Sequence, residues 1–130
     1  MEISKGVIRY YLNSVSSYIA DHGSLPDDVT GYYDYIVNMK LDAIKQGDLT
    51  ILRLAIDYLL THTAIDPASF SQMHYHYDAD EFQELLLYIR SVVWPELPPP
   101  DPDEVKDIKF INISAGDWWE IRKAQQKTEK

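Results

Sequence analysis

The sequence predicts a mainly α protein. It reads as an antiparallel bundle of four main helices, then a Pro-rich extended segment and a short C-terminal helix. Three observations lead there. Apolar residues recur at three- and four-residue steps along successive stretches, which is the period of one helix face. Gly, Ser and Asp stand where those stretches begin and end, as helix caps do. The connections between the first three stretches are very short, which sets neighbouring helices antiparallel.

The first helix is predicted from Ser4 to Asp21, with Val7, Ile8, Tyr11, Leu12, Val15, Tyr18 and Ile19 on one face and Gly23 as its left-handed stop. The second begins at Ser24-Leu25-Pro26-Asp27, with Ser24 as cap and Asp27 and Asp28 at the positive end of the dipole. Its stripe is Val29, Tyr33, Ile36, Val37, Lys40/Leu41 and Ile44, and Gly47 closes it. Asp48 caps the third helix, Leu49 to about His62, which is apolar nearly all round and so belongs at the centre of the bundle. Residues 63–78 keep no period and contain Pro67, so they form a long loop. Asp78-Ala79-Asp80-Glu81 has the form of a capping box and opens the fourth helix on Phe82, Leu85, Leu86, Ile89 and Val93. Trp94-Pro95 ends it.

Residues 1–95 therefore make the bundle, and residues 96–130 pack on the same single domain. Pro98, Pro99, Pro100 and Pro102 favour an extended spacer. Ile108, Phe110, Ile111 and Ile113 suggest a short extended run with no evident partner strand. Ser114-Ala115-Gly116-Asp117 caps a short last helix carrying Trp118, Trp119 and Ile121, and the basic end from Arg122 to Lys130 is expected to fray. At 130 residues and 15.1 kDa the chain can bury one core without staples. It has no cysteine, which removes thiol catalysis and disulfides and fits a reducing cytoplasm. No apolar run reaches the roughly 18 residues of a membrane span. The N-terminus lacks the pattern of a secretory signal.

Charge is the first functional clue. Twelve Lys and Arg stand against 21 Asp and Glu, a net −9. A nucleic acid or an anionic membrane is an unfavourable partner for such a chain. No Lys or Arg falls between Arg53 and Arg90, a stretch that holds Asp57, Asp66, Asp78, Asp80, Glu81 and Glu84. A field of this kind draws in basic partners.

Motifs for chemistry are sparse. His74, His76 and Asp78 have an alternating spacing that suits a metal, but no flanking pattern supports it, and neither a metal nor a cofactor is expected. His62 suits a helix C-terminus better than catalysis. The paired carboxylates lie at helix starts or beside prolines, where solvent keeps them ionised, and no nucleophile elbow or phosphate loop is present. The chain is therefore read as no enzyme. Ten tyrosines are many for this length. Tyr11, Tyr18 and Tyr33 lie on apolar stripes and should point a hydroxyl outward. Tyr75 and Tyr77 lie in the long loop, where no core stripe claims them, beside acids. The expected partner-binding residues are Tyr75, Tyr77, Asp78, Asp80, Glu81 and Glu84: aromatic anchors set among carboxylates.

A small, acidic, cysteine-free chain without catalytic motifs is similar in profile to bacterial immunity proteins, and to other inhibitors that block a basic toxin such as a nuclease. The resemblance implies a basic protein partner occluded by carboxylates and tyrosines. Two alternatives stand beside it. One is a phage or regulatory helical module that binds a host protein or mimics the charge of DNA. The other is a small metal-dependent hydrolase using His74, His76 and Asp78. The oligomeric state is left open.

Overall fold

The computed structural model describes residues 1–70 and 77–128, with side chains through residue 125. The protein is mainly helical. Its elements run β1 (Glu2–Ser4), α1 (Lys5–His22), a 3₁₀ turn (Val29–Tyr32), α2 (Tyr33–Gln46), α3 (Leu49–Thr61), a 3₁₀ turn (Pro67–Ser69), α4 (Ala79–Val93), α5 (Pro102–Val105), β2 (Lys109–Ile111) and α6 (Ala115–Thr128). Helix α1 packs on α2, α2 on α3 and α4, α3 on α4 and α5, and α6 returns to α1. One apolar core runs through them, with Tyr11, Leu12, Ile36, Met39, Leu52, Ile56, Leu86 and Ile89 at its fully buried centre.

The caps follow the chemistry of the sequence. The Ser4 hydroxyl accepts from the Val7 amide at 3.1 Å, and Gly23 ends α1 at φ 77°, a conformation glycine adopts cheaply. Asp78 and Glu81 form the complete capping box of α4. Helix α2 starts later than its sequence suggests. Asp28, not Ser24, caps the 3₁₀ turn ahead of it, accepting from the Thr30 amide at 2.9 Å, and α2 itself begins after Tyr32 with no side-chain cap. That bond competes with helix formation across Pro26-Asp27-Asp28 and restarts the chain as a 3₁₀ turn at Val29.

The buried face of α2 also differs from the expected stripe. Ile36, Met39 and Ala43 are buried, whereas Tyr33, Leu41 and Ile44 are 51%, 59% and 52% exposed. Two polar bonds to α1 turn the helix this way: Tyr35 donates to Asp21 at 2.6 Å, and Tyr10 of α1 donates to Asp42 at 2.7 Å. The Tyr35 hydroxyl is pushed up to about 12 by the carboxylate it serves.

Two buried carboxylates in or beside α3 tie the C-terminal third to the rest. Asp48 stands at the N-cap position but makes no side-chain cap bond. It is fully buried, and it accepts from the Tyr11 hydroxyl at 2.6 Å, the Trp119 indole at 2.8 Å and the Arg122 guanidinium. Arg122 is therefore anchored rather than frayed, and α6 continues to Thr128. The Tyr11 hydroxyl points inward, against expectation. Asp57, 1% exposed, meets Arg90 at 2.7 Å and Arg53 at 3.2 Å. Arg90 also donates to the Pro98 carbonyl at 2.6 Å, and Arg53 pairs with Glu104 at 2.8 Å. The Pro-rich segment is thus held by one arginine and the start of α5 by another.

The extended run after α5 has a partner strand that the sequence did not reveal. β2 pairs with β1 in parallel, Ile3 opposite Phe110. The Ser4 hydroxyl donates to the Ile113 carbonyl at 2.7 Å, and the Gly6 amide to the same carbonyl at 3.2 Å. A Cβ at Gly6 would stand 2.4 Å from that oxygen, so only glycine admits the approach.

Asp48→Ala leaves three donors without an acceptor. Arg122 is 31% exposed and keeps part of its solvation, so the expected cost is about 2–3 kcal/mol, read from chemical denaturation. Burial, then the bond to Asp48, raises the Tyr11 hydroxyl well above its ordinary value of 10.0. The folded state keeps that proton where the unfolded chain releases it. The contribution is therefore complete below about pH 10 and is lost as pH rises further. Tyr11→Phe should destabilise at neutral pH by about 1–3 kcal/mol and flatten the alkaline loss of stability. Leu52→Ala or Ile56→Ala, at fully buried sites of α3, should each cost about 2–5 kcal/mol.

Candidate functional site

The acids between Arg53 and Arg90 divide into three groups. Asp57 is buried and neutralised by the two arginines that bound the stretch. Asp66 and Asp78 cap, accepting from the amides of Ala68 at 3.0 Å and Glu81 at 2.8 Å. Asp80 and Glu84 are exposed on α4, and Glu81 is half-buried beside them.

Glu81 and Glu84 line a recess of about 240 Å³. Its opposite wall is the segment before α2, with Leu25, Pro26, Asp27, Asp28 and Val29. Tyr32 and Tyr77 complete the lining, their hydroxyls 3.0 Å apart in a buried bond. Four carboxylates therefore face one recess, and none of its lining residues is basic. Bonds from the Thr30 side chain and amide hold the Asp28 carboxyl below the usual range. Burial pushes the Tyr32 hydroxyl up, with Glu81 adding to the effect. The recess thus sets four carboxylates around two phenols.

Of the six expected binding residues, Tyr77, Glu81 and Glu84 line this recess. Tyr77 is only 8% exposed and belongs to the core cluster, so the expectation that no core claims it is corrected. Its ring packs 6.3 Å from Phe82 of α4, and Tyr32 engages its hydroxyl. Asp78 is committed to the cap and Asp80 stands outside the lining. Tyr75 lies outside the described residues, as do His74 and His76. Among the described residues, no three His, Asp or Glu side chains are gathered as metal ligands. The sequence reading took Asp27 and Asp28 as helix-start acids and left Tyr32 unplaced. The signal for the recess was already there: Pro26 followed by two acids ahead of a tyrosine cluster, a bend rather than a first turn.

His22 and His62, the two histidines among the described residues, have local roles. They stack on Tyr18 and Tyr58 at 3.9 Å, and each ring nitrogen meets the carbonyl one turn back. A larger recess of about 750 Å³ runs along α1 against residues 112–115 and includes Lys5 and Arg9. No acid lines it, and the Lys5 ammonium sits 5.1 Å from the centre of the Phe70 ring. No helix of the described residues is long and apolar enough to cross a membrane. No protein-family model matches the chain, and comparison with curated proteins and with solved structures returns no match.

The structural and the available acids should separate cleanly. Asp78→Ala is expected to lower stability by about 1 kcal/mol through loss of the cap. Glu81→Gln keeps an acceptor for the Asp78 amide, and Glu84→Gln touches no cap, so each should stay within about 0.5 kcal/mol of wild type. Thermal melts followed by circular dichroism decide this.

Proposed function

We propose that the chain is a non-enzymatic inhibitor of the immunity type, acting in the bacterial cytoplasm, which binds and occludes a basic protein partner such as a nuclease toxin. The observation that carries this reading is the recess in which Asp27, Asp28, Glu81 and Glu84 surround the Tyr32–Tyr77 pair with no basic residue among them. A space of about 240 Å³ suits one long side chain better than a metabolite, whose pockets run to roughly 300–1,000 Å³. An arginine or lysine of the partner enters it, its stem against Leu25, Val29 and Leu85 and its head among the carboxylates. The net charge of −9 steers the encounter, and the exposed Asp80 extends the same field along α4. In a nuclease, the partner's cations are those that hold substrate phosphates, so their capture blocks the substrate by occupation. The same reading takes α1 to α4 as an antiparallel bundle, supported by the short connection at Gly47-Asp48 and by the packing of α2 on α1, α3 and α4.

The test uses Asp27→Lys with Glu84→Lys. Both positions are exposed and neither serves a cap. Wild type should retain a basic protein from an extract of its source cells at low salt, in stoichiometric amount. The double variant should bind that protein at least about 100-fold more weakly, mainly through slower association, with an unchanged melt. A captured partner held with affinity within twofold by the double variant would overturn the assignment of the site. Recovery of a nucleic acid or an acidic protein instead would overturn the function.

A further inference from the structure

Three of the eight most exposed large apolar side chains among the described residues lie on one helix: Tyr33, Leu41 and Ile44 of α2, at 51%, 59% and 52%. They are not scattered. With about 100° per residue, positions 33, 37, 41 and 44 fall within about 80° of arc, so half-buried Val37 completes a continuous stripe. The core takes the other face of α2 through Ile36, Met39 and Ala43. The stripe is therefore an additional apolar surface on a helix already packed on α1, α3 and α4.

The charges bordering it select the occupant. Asp34, in the first turn of α2, and Lys45, in the last, are both exposed and both lie on the flank next to Leu41. An acid at one end and a base at the other, on the same flank, is self-complementary under a two-fold rotation. We infer that this face of α2 is a homodimer interface, in which two α2 helices pair antiparallel about an axis near Met39. That register sets Val37 of one copy against Leu41 of the other, and Tyr33 against Ile44. It also brings Asp34 of each copy to Lys45 of the second copy. A uniformly basic partner is a poorer fit, because Lys40 and Lys45 border the stripe. The proposal is independent of the acidic recess, which uses none of these residues.

The interface is small. Four partly exposed side chains hide a few hundred Å² per copy, below the roughly 800 Å² per partner of a standard interface, and two chains of like net charge repel. The dimer should therefore be weak, half-formed at about 100 µM or above.

Sedimentation velocity in about 0.15 M salt, from about 10 µM to about 1 mM protein, reads it. Wild type should shift reversibly from monomer to dimer across that range. Leu41→Glu should remain a monomer at about 1 mM with an unchanged melt, since the residue is more than half exposed. Asp34→Lys and Lys45→Asp should each weaken the dimer by about tenfold, and the two together should restore it to within about threefold, because the reversed charges pair again. A wild-type chain that stays monomeric at about 1 mM overturns the inference, as does a dimer that survives Leu41→Glu. Failure of the double reversal to recover what the single reversals lose overturns the antiparallel register.

Discussion

A carboxylate with no exposed surface must be met by donors, and Asp48 is met by three of them from two distant segments. Tyr11 comes from the middle of α1, and Trp119 and Arg122 come from α6. The turn between α2 and α3 thereby fixes the position of the first helix and the last at once. Desolvating an unpaired carboxylate costs several kcal/mol, so any arrangement that moves α6 away exposes that penalty. Asp57 imposes a second condition of the same kind through Arg90, and Arg90 reaches on to the Pro98 carbonyl. Between them the two acids explain why the C-terminal third, with few buried apolar residues of its own, follows one path across the helices.

The elements that were legible in the sequence are those set by local chemistry. Ser4, Gly23, Gly47 and the Asp78–Glu81 box mark helix ends because a cap involves residues only a few positions apart. The stripe of α4 was legible for the same reason, since a single face of that helix is apolar. Helix α2 was not, because it carries two apolar faces and periodicity cannot say which one the core takes. Bonds to Asp21 and Tyr10, from another helix, decide it. The partner of β2 was hidden because it comes from residues 2–4, more than a hundred positions away. Asp48 read as a helix cap and Asp57 as part of the acidic field, since burial of a charge is a property of what surrounds it.

The candidate site divides along the same line. Glu81 and Glu84 were legible as part of an acidic helix start, and Tyr77 as an aromatic beside them. Asp27, Asp28 and Tyr32 join them through the fold, because the bend at Pro26 turns that segment toward α4. The bend also brings Pro26 against Gly31, where a Cβ would stand 2.4 Å from the proline side chain. Tyr77 shows how composition misleads: a tyrosine in an aperiodic loop is exposed only if no core lies behind it, and here Phe82 and Tyr32 do.

The parallel pairing of β1 with β2 bears on how the chain emerges from the ribosome. Residues 2–4 leave the tunnel more than a hundred residues ahead of the strand that satisfies them, which begins at Lys109. The Asp48 cluster likewise waits for residue 122. A nascent chain that has released α1 to α4 holds most of its apolar core while one strand edge lacks its partner and the Asp48 carboxylate has Tyr11 but lacks Trp119 and Arg122. Contacts of such long sequence separation form late and slow folding. Stable structure should therefore wait for β2 and α6, and chains stalled before β2 would present an unpaired edge to aggregation or to chaperones.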